Sequence, residues 1–335
     1  MVLNLVLCLS LLVPVFIRIR VVKLDFWILG IIVFAVVSLI LDPLNSVMSA
    51  IRVISFMCVY ILISNGVIII RLRQLMMLVT SLIVISFFIQ YSQSDYQYLN
   101  GFRRYSGIYY MHSAGFALIN LLVFLYLMRQ WSIKDRNETN GLIDYTIILV
   151  VFLILFMTGS RSATLIALGG GSLYFSTKKK YNFVILVLLL SLLFAQVYTK
   201  ILESGLMYRI NGLIENGFSD PSSRNRLKFL TQGFSLVEGV RMFFGFGVGK
   251  FDDLYFANYG KRVAPHFYLL QWYVEGGIFY LFFWIKFYLG IFNRISWNDR
   301  ILMILYLVVA SLNNGEYYFG INILFIIILT QRFNK

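Results

Sequence analysis

The sequence predicts an all-α polytopic integral membrane protein with about 11–12 transmembrane helices and one large extracytoplasmic loop. Three observations predict it. The chain of 335 residues is 60% hydrophobic and only 13% charged, where ordinary soluble domains carry about 25% charged residues. Runs such as 26–41, 145–157 and 183–197 hold no charge at all. In lipid such runs satisfy their backbone N–H and C=O groups only as helices. Finally, the basic residues alternate loop by loop, as they do in multi-pass proteins.

Eleven apolar spans follow, at roughly 2–17, 26–41, 47–70, 75–91, 108–128, 142–158, 162–176, 182–198, 266–285, 301–312 and 317–331. The first is followed by Arg18, Arg20 and Lys23. A cleaved signal peptide carries its charge before the apolar stretch, so this span is expected to be retained. The seventh contains Gly169-Gly-Gly171. That run lacks the preceding strand and the Gly-Lys-Ser/Thr ending of a nucleotide loop, and reads as small residues for close helix packing. Pro265 stands at the opening of the ninth span, where a missing N–H costs nothing.

The spans divide the chain into 1–198 with the first eight helices, a loop subdomain over 199–265, and 266–335 with the last three. Within the loop, capping serines at 222–223 precede Leu227, Leu230, Phe234 and Val237 at helical spacing. This pattern predicts a short amphipathic helix near the membrane–water boundary. Arg224 and Lys228 share one of its faces and Arg226 projects from another. Gly245, Gly247 and Gly249 alternate with other residues, which favours a tight turn over a helix.

Charge sets the orientation. One alternating set of loops holds Arg18, Arg20, Lys23, Arg71, Arg73, Arg129, Lys134, Arg136, Lys178–Lys180, Lys286, Arg294, Arg300 and the tail residues Arg332 and Lys335. The short loops of the other set hold only Arg103, Arg104 and Arg161. The positive-inside rule puts the first set, and the C-terminus, in the cytoplasm. The net charge of +14 is thus mostly a topology signal, and a nucleic-acid footprint is excluded. Cys8 and Cys58 fall inside apolar spans, and the two histidines form no Cys/His cluster. No disulfide framework, metal site or cofactor is expected.

Polar groups at the outward ends of the spans are the functional candidates, because charge at a membrane is costly. Arg161 sits between the sixth and seventh spans, against the charge bias, and reads equally as a functional group or as a snorkelling interfacial one. Arg103 and Arg104 precede the fifth span. His266 opens the ninth, where a helix N-terminus disfavours a ring proton and a neutral imidazole suits a general base. Glu275 lies nine residues into the same span, followed by two glycines. Outward-facing cations with one neutral base describe a site for a phosphorylated, lipid-borne substrate. They would also stabilise the charge that grows on a pyrophosphate leaving group.

The order of motifs resembles the O-antigen ligase/polymerase superfamily of bacterial envelope glycan assembly. "RRYSGIYYMHSAGFALINLL" (103–122) is similar to the family's first Arg-x-x-Gly segment, and "TGSRSATLIAL" (158–168) to its Ser-Arg helix start. "SSRNRLKFLTQGFSLVEGVRMFFGFGVGKF" (222–251) resembles its arginine-bearing loop helix with a Gly-x-Gly-x-Gly turn. "PHFYLLQWYVEGGIFYL" (265–281) resembles its His-Asn-x-Tyr-Leu…Glu-x-Gly segment, with Phe267 in the asparagine's place.

The resemblance implies a metal-independent, inverting glycosyltransferase in the bacterial inner membrane, with its site facing the periplasm. The implied donor is an oligosaccharide on undecaprenyl pyrophosphate. The first expectation is a polymerase that joins O-antigen or similar repeat units, and the second is an O-antigen ligase that transfers the glycan to lipid A–core. A non-enzymatic lipid-glycan flippase is the remaining class. Carried over by motif, Arg161 and Arg226 would act on the pyrophosphate and His266 would activate the acceptor hydroxyl. Arg224, Arg103, Arg104 and Glu275 would assist in substrate binding. A chain-length regulator protein and membrane lipid are the partners the polymerase reading implies.

Overall fold

The computed structural model describes residues 25–67, 70–92, 97–99, 102–104, 113–133, 141–158, 160–176, 221–261, 267–312 and 319–330. In chain order the elements are α1 (Phe26–Leu41), α2 (Pro43–Ser64), α3 (Leu72–Ser92), β1 (Gln97–Leu99), β2 (Phe102–Arg104), α4 (Ser113–Ile133), α5 (Gly141–Met157), α6 (Arg161–Ser176), α7 (Pro221–Phe234), α8 (Arg241–Phe244), α9 (Phe251–Tyr259), α10 (Tyr268–Arg294), α11 (Trp297–Leu312) and α12 (Phe319–Thr330). Among the described residues, Ser46–Ser64, Leu72–Gln90 and Tyr268–Arg294 are long and apolar enough to cross a membrane. The protein is an all-α membrane protein. Nine of the eleven expected spans appear as helices, and those at 2–17 and 182–198 lie outside the described residues.

The chain forms two compact units. The first holds α1, α2, α7–α10 and α12, and the second holds α3–α6, the hairpin and α11. In the first unit α1 and α10 run antiparallel, joined at one end by Arg294 Nη2 donating to Asp25 at 3.1 Å. Close approach is possible because Gly30 faces the ring of Phe283, where a Cβ would stand 2.7 Å from ring carbons. Helix α2 stops at Ser64 although apolar residues continue. Gly66 adopts φ 68°, its N–H donates to Ile63 O, and the Val67 N–H donates to Leu62 O. Those two bonds close a Schellman cap, which explains why the expected 47–70 span ends early.

In the second unit α4 packs against α5, α6 and α11. The glycine run in α6 has the packing role expected of it at Gly170, where a Cβ would stand 2.6 Å from Leu305 and 3.0 Å from Leu125. Arg129, near the end of α4, forms an ion pair with Asp299 at the start of α11, 2.5 Å apart with both side chains almost fully buried. Ser296 completes the arrangement. Its Oγ donates to Asp299 Oδ2 at 2.5 Å and accepts the Asp299 N–H at 3.3 Å, capping the helix.

Three expectations need correction. The segment before α4, read as a loop, contains an antiparallel hairpin that pairs Tyr98 with Arg103 and Gln97 with Arg104. The expected loop 286–300 is nearly all helix. The Lys286 ammonium lies 5.5 Å above the rings of both Trp27 and Phe282, an attraction that lets a cation sit on a membrane helix. Arg294 is held by Asp25 as described. The third correction concerns the ninth span, which is broken. Gly277 has φ 67° and ψ −166° inside α10. Trp272 stacks on Trp284 with ring centroids 4.8 Å apart and planes 5° apart. In a straight helix those residues would be about 18 Å apart along the axis. The chain therefore turns sharply at Gly277, leaving a first limb (268–276) and a second limb (277–294).

Candidate functional site

The break in α10 strands backbone carbonyls. In a continuous helix Val274 O would accept from the N–H of residue 278, and Glu275 O from that of residue 279. Here the glycine turn supplies the replacements. The Phe246 N–H donates to Val274 O at 3.1 Å and the Gly247 N–H to Glu275 O at 2.7 Å.

Two glycines make this crossing possible. Gly245 (φ 65°) lies against the Glu275–Gly276 backbone, and Gly277 lies against the Phe243–Phe244 backbone, each so closely that no Cβ fits. The sequence expectation of a tight turn holds, since Gly247 and Gly249 also take positive φ. The turn is pinned on its other side by α1. The Val248 N–H donates to Ser38 Oγ at 2.9 Å, and Lys250 pairs with Asp42. Arg241 folds back over the same turn, 5.1 Å above the Phe246 ring, and donates to Gly245 O at 3.2 Å.

Glu275 occupies the centre of this joint and is 2% exposed. Its carboxyl group accepts from Gln271 Nε2 at 3.1 Å and faces the backbone N–H groups of Gly249 and Phe251. The N–H groups of Gly245, Phe246, Gly247, Val248 and Lys250 thus each have an acceptor within the chain, and those of Gly249 and Phe251 face the Glu275 side chain. The turn is a structural joint with its donors already engaged.

The amphipathic helix expected after Ser222 is α7. Its apolar face meets a core of Val237, Phe251, Tyr255, Leu270 and Val274, with Phe229 and Leu230 packed on it. Gly233 of α7 faces Leu270, and Phe234 meets Tyr273 at 5.8 Å. Leu227 and Phe234 depart from the expected stripe and are exposed. Tyr255 donates to Gln232 Oε1 at 2.5 Å. Burial, with Tyr259 beside it, pushes the Tyr255 hydroxyl above its ordinary range, so it stays a proton donor. Arg224 and Lys228 are exposed, whereas Arg226 is half-buried. The first unit therefore carries Arg224 and Arg226 on a helix docked against the limb that ends at Glu275.

In the second unit Arg161 is the first residue of α6, behind Ser160, whose carbonyl accepts the Thr164 N–H at 3.0 Å. Arg103 and Arg104 lie on β2. His266 lies just outside the described residues, ahead of Phe267 and the first limb of α10. Among the described residues no cluster of His, Cys, Asp or Glu could hold a metal ion.

Residues 146–285 match the family model for O-antigen ligase. Over that segment the match supports a likeness to the O-antigen ligase/polymerase superfamily. It spans α6 with Arg161, α7 with Arg224 and Arg226, the glycine turn, His266 and Glu275, and Arg103 and Arg104 precede it. No curated protein and no solved structure matches the chain. Sequence reasoning singled out the arginines of the matched segment but not Ser38, Asp42, Lys250 and Gln271, which hold its turn in place. The one available signal was an Asp at each end of an otherwise uncharged span, at positions 25 and 42.

Proposed function

We propose that this protein is a glycosyltransferase that polymerises repeat units carried on undecaprenyl pyrophosphate, at the periplasmic face of a bacterial inner membrane with the C-terminus in the cytoplasm. The observation that supports the reading most is the O-antigen ligase match over 146–285, which contains Arg161, Arg226 and His266. In the proposed step an acceptor sugar hydroxyl attacks the anomeric carbon of the donor. The new glycosidic C–O bond forms as the bond to the pyrophosphate oxygen breaks, with inversion. The hydroxyl proton passes to the His266 imidazole, and the lipid pyrophosphate leaves with the electron pair. Arg161 and Arg226 offset the charge that grows on the leaving group, and Arg224, Arg103 and Arg104 assist in binding. No metal takes part in this scheme. A chain-length regulator is the protein partner that polymerisation calls for.

The description of the matching family favours a second reading, transfer to lipid A–core. Purified protein in proteoliposomes separates the two. With lipid-pyrophosphate glycan alone, a polymerase yields a ladder of longer lipid-linked glycans, and a ligase yields product only when lipid A–core is added. His266→Ala and Arg226→Ala should each lower turnover at least about 100-fold, in line with removal of a general base or of a transition-state charge partner. No product under either condition, or a fully active His266→Ala, would overturn the assignment.

A further inference from the structure

The second limb of α10 presents a continuous apolar stripe to its surroundings. Ile278, Phe282, Ile285 and Leu289 are all exposed at helical spacing, the pattern of a lipid-facing surface on a membrane helix. The stripe does not stop at the break. Phe279 is also exposed, and the rings of Phe243 and Phe244 lie on it at 6.1 and 5.5 Å. Those rings belong to the loop between α7 and α9. There Val240, Met242, Phe243 and Phe244 are all exposed, Val240 at 73%.

The level of this patch follows from the packing of the first unit. Helix α1 has 16 residues, about 24 Å at the rise of an α-helix. The second limb of α10 covers 277–294, about 27 Å. Both approach the ~30 Å hydrocarbon thickness of a bilayer. They are matched at one end by Asp25 and Arg294. At the other end Ser38 and Asp42 hold the glycine turn that crosses Val274 and Glu275. The break at Gly277 thus stands level with the end of α1, at the hydrocarbon boundary. Phe243 and Phe244 rest on a residue two positions beyond the break, on the lipid side of it. The one cation of the segment, Arg241, is folded back over Phe246 and the Gly245 carbonyl. Its neighbours are left as an apolar surface.

We infer that residues 240–244 are a membrane-seated anchor. This segment of the long loop enters the leaflet at the Asp42 end of α1 and extends the lipid-facing stripe of α10, taking acyl chains as its partner. The anchor fixes the glycine turn, and with it the limb ahead of it, at the depth of the lipid headgroups. The inference rests on the membrane assignment of α10 and not on the proposed glycosyl transfer.

The test uses nitroxide labels at Val240→Cys and Met242→Cys in a chain with Cys8→Ala and Cys58→Ala, in phosphatidylethanolamine–phosphatidylglycerol proteoliposomes. Ile285→Cys is the lipid control and Ala257→Cys, on the exposed face of α9, the aqueous one. Labels at 240 and 242 should collide more often with oxygen than with a water-soluble nickel chelate, as at 285, with the order reversed at 257. Nickel access at 240 and 242 equal to that at 257 would overturn the anchor. Low access to both reagents would also overturn it, since a protein surface would then cover the patch. Should the cysteine-free chain fail to fold, the unaltered protein is cross-linked with acyl-chain diazirine lipid. Adducts within 240–244 as well as 278–289 support the anchor, and adducts confined to 278–289 overturn it.

Discussion

The crossing of the glycine turn with the break in α10 makes a quantitative demand on two glycines at once. Gly245 (φ 65°, ψ −160°) and Gly277 (φ 67°, ψ −166°) both occupy a backbone region open essentially to glycine alone. Placing another residue there costs about 1–3 kcal/mol in strain. An alanine Cβ would also collide with backbone: the Glu275 carbonyl and Gly276 nitrogen in one case, the Phe243 carbonyl and Phe244 nitrogen in the other. Backbone yields less readily than a side-chain tip, and overpacking costs a further 1–3 kcal/mol or so. Each single alanine should therefore lose about 2–6 kcal/mol, a fall in melting temperature of at least about 4 °C. The two lesions are one event, because parting the segments for the first Cβ makes room for the second. Gly245→Ala/Gly277→Ala should cost clearly less than the sum of the singles. Thermal unfolding of the purified protein in detergent reads this directly, with two controls. Gly239 has φ 58° and nothing within 4 Å, so alanine there costs only the left-handed strain of about 1–2 kcal/mol. Gly290 is helical with nothing within 4 Å, and alanine there should be neutral or stabilising by up to about 1 kcal/mol. Additive losses at 245 and 277, or a Gly277→Ala protein no weaker than Gly239→Ala, would refute the interlock.

Other consequences are simpler. Asp299→Ala leaves Arg129 buried without its carboxylate and should cost about 3–5 kcal/mol. The double substitution Arg129→Met/Asp299→Leu should recover most of that loss, and an Asp299→Ala protein as stable as the unaltered one would show the pair to be energetically idle. Glu275→Ala removes the carboxyl group that faces the Gly249 and Phe251 N–H groups, at about 1–3 kcal/mol for a buried donor left unpaired. Hydrogen exchange at those two amides should accelerate while amides in α4 keep their protection. Unchanged exchange would mean that the carboxylate does not hold the turn.

Much of the fold was legible because lipid imposes a uniform demand. An uncharged run of sixteen residues such as α1 has no conformation available in a membrane except helix, so composition alone located it. The amphipathic α7 and the glycine turn were legible for local reasons, in apolar spacing and in the conformational freedom of glycine. What escaped was set by residues far apart in sequence. Lys286 and Arg294 read as loop because their partners, Trp27 and Asp25, lie at the opposite end of the chain. Arg129 read as a solvated topology signal because nothing near it in sequence announces Asp299. The break at Gly277 was hidden inside an apolar run in which Gly276-Gly277 looks like a packing notch. The hairpin had a signal in Asn100-Gly101, a turn-forming pair flanked by Tyr98-Leu99 and Phe102.

The joint also bears on how an anion would be held. A glycine-rich turn invites comparison with phosphate-cradling loops, whose free N–H groups point at the ligand. Here the N–H groups of Gly245, Phe246, Gly247, Val248 and Lys250 donate to Arg241 O, Val274 O, Glu275 O, Ser38 Oγ and Gly247 O, and those of Gly249 and Phe251 face the Glu275 side chain. The buried Glu275 side chain already occupies the place an anion would take. Lys250, the one ammonium in the turn, is paired with Asp42. Such a turn has little left to offer a pyrophosphate, and its glycines serve the crossing of two backbones. Under the proposed function, anion binding would fall to side chains, and the half-buried Arg226 would act on a phosphate with less screening than the exposed Arg224, being partly withdrawn from water.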